Sequence, residues 1–452
     1  MLDKKNIDNA KNNQKDSKNI FKKIAKSKLF KNPDFVGILK GVTVGLILIA
    51  FFFAGYFTHY FSLNEELRSL DFLLNIYKEH YYKADEEGII HAVADGLLDE
   101  YSGYYTAEEY QAYQKAGQGA KSGYGFAIND FVITSILGNS PAEKVGLEIN
   151  GKIVGYKLTN GQDFIIPTTQ SDFTDFLTQT EESVTLLVDY YGENKQFVIQ
   201  KAEYLENYVY YSDATGNYRF SGNKNDMQFT KYEGNHLEIG AGWGYIRFTS
   251  FNGLADGTNG GAGQFIHALE KFKQNGNDKL IIDLRNNGGG YMSILCEIAQ
   301  YLCDNNGKEN FAVQGARYND GHIEYFIAKK NYYDKFSFKK IIFLANGGSA
   351  SASEALMGAV LDYDKNSGNN VVKVVVERYG ESQPKQYRTY GKGIMQSMFS
   401  NTLTGEAVKL TTAEVIWPIS HTSIHGVGLN PEIDSRIIAN ESQNAIEFAQ
   451  TL

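Results

Sequence analysis

Proline, cysteine and histidine are all scarce in this chain. Six prolines stand against 45 glycines in 452 residues. That balance excludes a proline-stiffened linker protein and points to many tight turns. The two cysteines, Cys296 and Cys303, fall seven apart in one predicted helix. At 1.5 Å per residue they are about 10 Å apart along its axis, too far for a disulfide. They read as buried apolar thiols, which leaves an extracytoplasmic location open. Eight histidines supply no metal set. His421 and His425 are four apart, but Ser423, Gly426 and Gly428 argue against a helix there. His91 lies on a predicted helix and reads as structural. No glycine-rich loop ends in Gly-Lys-Ser/Thr, and no cofactor is expected.

Positive charge is scarce beyond the N-terminal stretch. The net charge is −9, yet residues 1–40 carry eleven lysines against four aspartates, about +7, which leaves about −16 for the rest. So acidic a body argues against nucleic-acid binding. Residues 1–33 read as a basic cytoplasmic tail without periodicity. From Gly41 to Asn64 there is no Asp, Glu, Lys or Arg, and Val42 to Phe57 is nearly all apolar. The sequence therefore predicts a membrane anchor over 34–63, long enough for ~30 Å of hydrocarbon, with Tyr56, Tyr60 and Phe61 suited to the interface. The preceding lysines put the tail in the cytoplasm and the rest outside. A cleaved signal peptide is the rival, but its apolar core is usually shorter and no convincing A-x-A site follows.

Residues 64–117 carry helical periodicity, closed by Tyr101-Ser102-Gly103-Tyr104-Tyr105-Thr106. Residues 118–203 alternate short strands at Phe131–Ile136, Lys152–Tyr156 and Val184–Val188. Residues 204–452 alternate strands and helices, which implies an α/β sheet. Two glycine turns, at Gly288 and Gly347, follow predicted strands at their C-terminal ends, where open α/β sheets place ligands.

The second turn leads into Ser349-Ala350-Ser351-Ala352-Ser353-Glu354 and a helix. A serine at a helix mouth faces free N–H groups and partial positive charge, which suits a nucleophile. The plain alternative is an N-cap, since Ser351-x-x-Glu354 is also a capping-box pattern. A serine needs a base, and no histidine stands in an obvious triad. Lys392, between Gly391 and Gly393 and followed by Gln396, offers one. Flanking glycines allow a tight turn and close approach to another segment, and Ser-Lys pairs are an established alternative to the triad.

These blocks together resemble the carboxyl-terminal processing proteases, the tail-specific, S41-type serine peptidases. The resemblance rests on Ser351-Ala-Ser-Glu354, Asp362 eleven residues on, Gly391-Lys392-Gly393-Ile394-Met395-Gln396 and Leu280 to Gly290. Lys409 to Ala413 and Gly426 to Asp434 add to it. It implies a multidomain chain: the transmembrane anchor, a helical segment, a β-rich PDZ domain over 118–203, and a peptidase core of the ClpP/crotonase-like type over 204–452. It implies Ser351 as nucleophile, Lys392 as base, Gln396 orienting the lysine, and N–H groups of Gly289 and Ala352 as oxyanion hole. Ser349 and Ser353 are the alternatives; the spacing to Asp362 selects Ser351. Asp283, Arg285, Glu354 and Asp362 are expected to be structural. Gly123-Tyr124-Gly125-Phe126 resembles the carboxylate-binding loop of PDZ domains, so the expected partners are proteins or peptides with free C-termini; a homodimer is also admitted. Asn150-Gly151-Lys152 departs from the usual Gly-Asp of these domains, and Asp364 to Tyr390 is longer than usual and reads as loop insertions at 366–370 and 380–386. The other compatible function is an inactive PDZ scaffold that only binds peptides; the joint presence of Ser351, Lys392 and Gln396 favours the enzyme.

Overall fold

The computed structural model describes residues 33–452 except 63, 81–87, 118–119, 162, 224, 233–237, 254–258 and 381–385. The basic tail and the expected insertion at 380–386 thus lie wholly or mostly outside the described residues. The chain divides into two compact units, residues 1–90 and 91–452.

In the first unit the charge-free run forms all but the first turns of the 30-residue helix Pro33–Ser62, which also carries Asp34 and Lys40. Its apolar side chains are exposed: Val42 is 54% exposed, Phe51 72% and Phe52 71%. Among the described residues no helix is long and apolar enough to cross a membrane. The side chains of Tyr56, Tyr60 and Phe61 lie outside the described residues. A second helix, Glu65–His80, follows.

In the second unit, residues 126–199 build a five-stranded antiparallel sheet in sequential order, closed by helix Gln170–Gln179. Alternate side chains of its strands, Ile153, Leu186, Val188 and Ile199, pack with Phe173 and Leu177 of the helix. Asn150 sits at φ +67°, and a Cβ on Gly151 would lie 2.5 Å from the Tyr190 ring. Asparagine tolerates that left-handed backbone at 150, and the Tyr190 ring leaves room only for glycine at 151.

The C-terminal body is made by β1 (Trp243–Phe248), α1 (Gly261–Gln274), β2 (Lys279–Asp283), α2 (Met292–Leu302), β3 (Phe311–Tyr318), β4 (Ile323–Ala328), β5 (Lys340–Ala345), α3 (Ala352–Ser367), β6 (Val372–Val376), β7 (Ile394–Ser400), β8 (Ala407–Ile416) and β9 (Ile437–Ala439). An eight-stranded sheet runs from an antiparallel flank, Phe229–Lys231, Gly216–Phe220 and Val209–Asp213, into parallel β1-β2-β5-β6-β9. These parallel strands are continuous apolar runs because both faces are covered. Leu280, Ile282, Ile341, Phe343 and Val374 pack against α1, α2 and α3. Ile281, Ile342, Leu344 and Val375 face the C-terminal helix Ala445–Thr451. Helix α3 is buried almost throughout, from Ala352 to Asp364, as a helix without a polar stripe must be.

Two sequence expectations need correction. Gly103–Tyr105 is not a helical closure but a strand on β8, with Tyr104 opposite Val408. Asn366 and Ser367 are not an inserted loop; they complete α3, which ends at Gly368 with φ +78°. A second sheet, formed by β3, β4, β7, β8 and Gly103–Tyr105, was not legible as strands.

Candidate active site

Strands β2 and β5 are parallel neighbours, with Asp283 opposite Leu344. Their glycine turns therefore emerge side by side. Asparagines join them. Asn346 Oδ1 accepts from Asn286 N–H at 3.0 Å and Gly348 N–H at 2.9 Å, and its Nδ2 donates to Asn286 Oδ1 at 3.0 Å. The Asn287 carbonyl accepts from Ala350 N–H at 3.0 Å and the Ser353 hydroxyl at 2.8 Å. The Ser349 hydroxyl donates to the Leu284 carbonyl at 2.8 Å. Ser349 and Ser353 are fully buried and already committed, so these two alternatives are occupied in tying the turns together. Ser351 alone of the three is partly exposed, and it lines a cavity of about 850 Å³.

Ser351 sits at φ +55° and ψ −118°. A non-glycine residue held there stores about 1–3 kcal/mol and needs surrounding structure to keep it. Glu354 supplies part of it. One carboxylate oxygen accepts from Ser351 N–H at 3.0 Å and Lys392 N–H at 2.9 Å. The other accepts from Gly391 N–H at 2.8 Å and from the Thr389 hydroxyl. Glu354 is therefore more than a cap: it fastens the serine turn to the lysine loop. Burial pushes its pKa up, against the pull of these four donors.

Ala352 opens α3, so its N–H has no intrahelical acceptor. Gly289 lies against it: a Cβ there would be 2.8 Å from Ala352 N and 2.9 Å from Ser351 Cβ, and its φ is +96°. The expected second oxyanion donor is nevertheless engaged. Gly289 N–H donates to Asn287 Oδ1 at 2.9 Å, an Asx turn that closes on itself.

Lys392 lines the same cavity, as do Gln396 and Gly289. Its flanking glycines are demanded by close approach. A Cβ on Gly391 would be 2.9 Å from Gly428 N, and one on Gly393 2.7 Å from His425 N. Burial and the nearby Lys409 push the Lys392 pKa down, while Asp99 opposes them. Lys392 Nζ lies 4.6 Å over the Tyr101 ring. Among the described residues no hydrogen bond joins it to Ser351. Gln396 Nε2 donates to Thr411 Oγ1 at 3.1 Å across the β7–β8 pair; it shares the cavity with Lys392 without a described bond to it.

The remaining candidates stabilise the frame. Asp283 binds Arg285 and the Tyr245 hydroxyl, and Asp362 accepts from Ile419 and Ser420 N–H. His91 pairs with Glu109 at 3.5 Å and meets the Tyr104 ring edge-on; His421 approaches Tyr325. Gly123, Tyr124, Gly125 and Phe126 lie at one end of a second cavity of about 530 Å³, between edge strand Phe126–Asn129 and helix Gln170–Gln179. Gly125, at φ +81°, passes within 2.1 Å of Ser140 Cβ for any added Cβ, so that loop requires glycine.

Residues 242–372 match Peptidase family S41. Over nearly its whole length the chain is also similar to the "Probable CtpA-like serine protease" of Staphylococcus aureus strain MRSA252, 26% identical over 99% of this chain and 81% of that protein. The Staphylococcus saprophyticus counterpart is 26% identical over 93% and 77%.

The S41 match and the CtpA-like relatives point to one and the same family of serine peptidases.

The chain is a serine-type peptidase. Among solved structures it is similar to a photosystem II D1 C-terminal processing protease, 19% identical over 83% of this chain and 86% of that one, with a TM-score of 0.43. The family match takes in both glycine turns and Ser351 but ends before Lys392. Sequence reasoning gave no site role to Asn287, Thr389, Lys409 or Tyr101, although all but Thr389 stand in blocks quoted above. Asn287 stood beside a quoted glycine run and could have been found as an Asx-turn residue. The others reach the site from segments distant in sequence, and their contacts with Lys392 and Glu354 come only with folding.

Proposed function

We propose that the protein is a membrane-anchored endopeptidase that holds substrate C-termini in its PDZ-like groove and cuts with Ser351 and Lys392. The observation that carries this reading is one cavity lined by Ser351, Lys392, Gln396 and Gly289, with the lysine's pKa depressed by burial. Neutral Lys392 takes the Ser351 proton as Oγ attacks the scissile carbonyl. The oxyanion forms at the α3 mouth, where Ala352 N–H is free to donate and the helix dipole favours negative charge. The ammonium then protonates the leaving amine, and water releases the acyl group by the same route. Gln396, fixed by Thr411, walls the cavity beside the lysine.

The groove between strand Phe126–Asn129 and helix Gln170–Gln179 supports the recognition step. An edge strand accepts a peptide as an added strand, the Gly123–Phe126 loop offers N–H groups to a carboxylate, and Phe173 and Leu177 favour an apolar last residue. What supports an anchor with the peptidase outside is the sequence itself, a charge-free run over 41–64 preceded by lysines.

The test is digestion of casein and of matched peptides by the purified full chain. Wild type should cut, and Ser351→Ala and Lys392→Ala should not. Peptides with a free apolar C-terminus should bind better than their amides. Equal binding of both removes the groove from the reading, and casein cleavage by Ser351→Ala removes the catalytic part.

A further inference from the structure

Lys392 does not hang free in its cavity. Its ammonium nitrogen lies 4.6 Å from the centre of the Tyr101 ring, inside the distance at which an aromatic face attracts a cation. Among the described residues no carboxylate forms an ion pair with it. The ring itself is fixed at three points. Its hydroxyl is 3.2 Å from that of Tyr390, two residues before the lysine. Its main-chain N–H donates to Asp99 Oδ1 at 3.0 Å. Beyond it, the Ser102 hydroxyl accepts from Thr411 N–H at 2.9 Å, and Gly103–Tyr105 joins β8. Thr411 is also the residue that holds Gln396. A segment lying nearly 300 residues earlier in the chain is thus built into the lysine's wall.

We infer that Tyr101 is a positioning residue for Lys392: its ring carries the lysine side chain at the cavity wall, and its bond to Tyr390 moves ring and lysine loop as one body. The ring face stabilises the ammonium and so opposes burial and Lys409, which favour the neutral amine. The groups acting on Lys392 are Asp99 and Tyr101 from the early segment, Tyr390 and Glu354 beside its main chain, and Lys409 from β8; Lys121 and Tyr113 line the same cavity. The lysine therefore rests charged on the ring longer than burial alone would allow. It leaves the ring to take the serine proton. This inference rests on Lys392 being the base.

The experiment is the pH profile of kcat/KM on one quenched peptide, with the full chain carrying Tyr101→Phe, Tyr101→Leu, or fluorinated phenylalanines at 101. Fluorination drains the ring face while keeping its shape, so the series stays informative if the leucine variant fails to fold. Loss of the face lowers the lysine's pKa, so the rise with pH should move to lower pH. For Tyr101→Leu the expected move is roughly 0.4–1.5 pH units. The fluorinated series should step in the same direction with fluorine number, and Tyr101→Phe should stay close to wild type in midpoint. A midpoint that does not move across the series overturns the inference, whether or not the plateau falls. Activity retained in Lys392→Ala would instead remove the base on which it rests, a separate outcome.

Discussion

Exchanging Glu354 for glutamine keeps the size of the side chain and removes its charge. The wild-type carboxylate takes four hydrogen bonds from Ser351, Thr389, Gly391 and Lys392. A glutamine has one acceptor oxygen. Its least costly orientation points the oxygen at Ser351 and Lys392 and gives the Thr389 hydroxyl an N–H to accept. Gly391 N–H is then buried without a partner, at about 1–3 kcal/mol, and two bonds lose their charge assistance, about 1 kcal/mol each. Removing a buried charge offsets part of this in global stability, but not in local geometry, because the strained Ser351 turn and the lysine loop lose their common tie. We expect about 2–4 kcal/mol in transition-state positioning, or roughly 30- to 1000-fold in kcat/KM at ~1.36 kcal/mol per tenfold, with thermal unfolding little changed. The stability profile carries a sign. Burial raises the folded pKa of Glu354 above 4.5, so the folded chain binds this proton more tightly than the unfolded one. Its contribution falls as pH rises from the ordinary carboxylate range through the raised pKa, and Glu354→Gln should flatten that slope. Steady-state kinetics with melts at several pH values tests both parts. A glutamine variant within threefold of wild type would refute the clamp.

Gly289→Ala places a Cβ 2.8 Å from Ala350 O and Ala352 N at φ +96°; we expect a loss of about 1–3 kcal/mol in stability and a drop of at least ~10-fold in kcat/KM, and normal kinetics would show that the turn need not be so close. Lys409→Met removes a cation that depresses Lys392, so the rise of kcat/KM with pH should move to higher pH while Lys409→Arg stays near wild type; a downward move would contradict the electrostatics.

The parts legible in the sequence are those whose causes are local. The strand, glycine turn and helix around Ser351 follow from an apolar run, Asn346-Gly347-Gly348 and a run of helix formers, all within some twenty residues. Lys392 was legible because close approach to residues 425–428 demands glycine on both sides, and glycine is visible in a sequence. Tyr104 was misread because its partner, Val408, lies some 300 positions away, and a three-residue strand has no periodicity of its own. The full task of Glu354 was hidden for the same reason. Its capping-box half is local, while three of its four donors come from residues 389–392. Gly289 was placed beside Ser351 correctly, but the Asn287 side chain that captures its N–H depends on the turn's folded shape.

The most direct test of Ser351 as nucleophile is intact-mass spectrometry of the full chain during turnover of a slowly cleaved ester or peptide. The account predicts a transient acyl adduct on the peptide containing Ser351, formed faster as pH rises. It predicts no such adduct in Ser351→Ala and at least ~100-fold slower formation in Lys392→Ala. Turnover by Ser351→Ala, or an adduct carried on another residue, would contradict it.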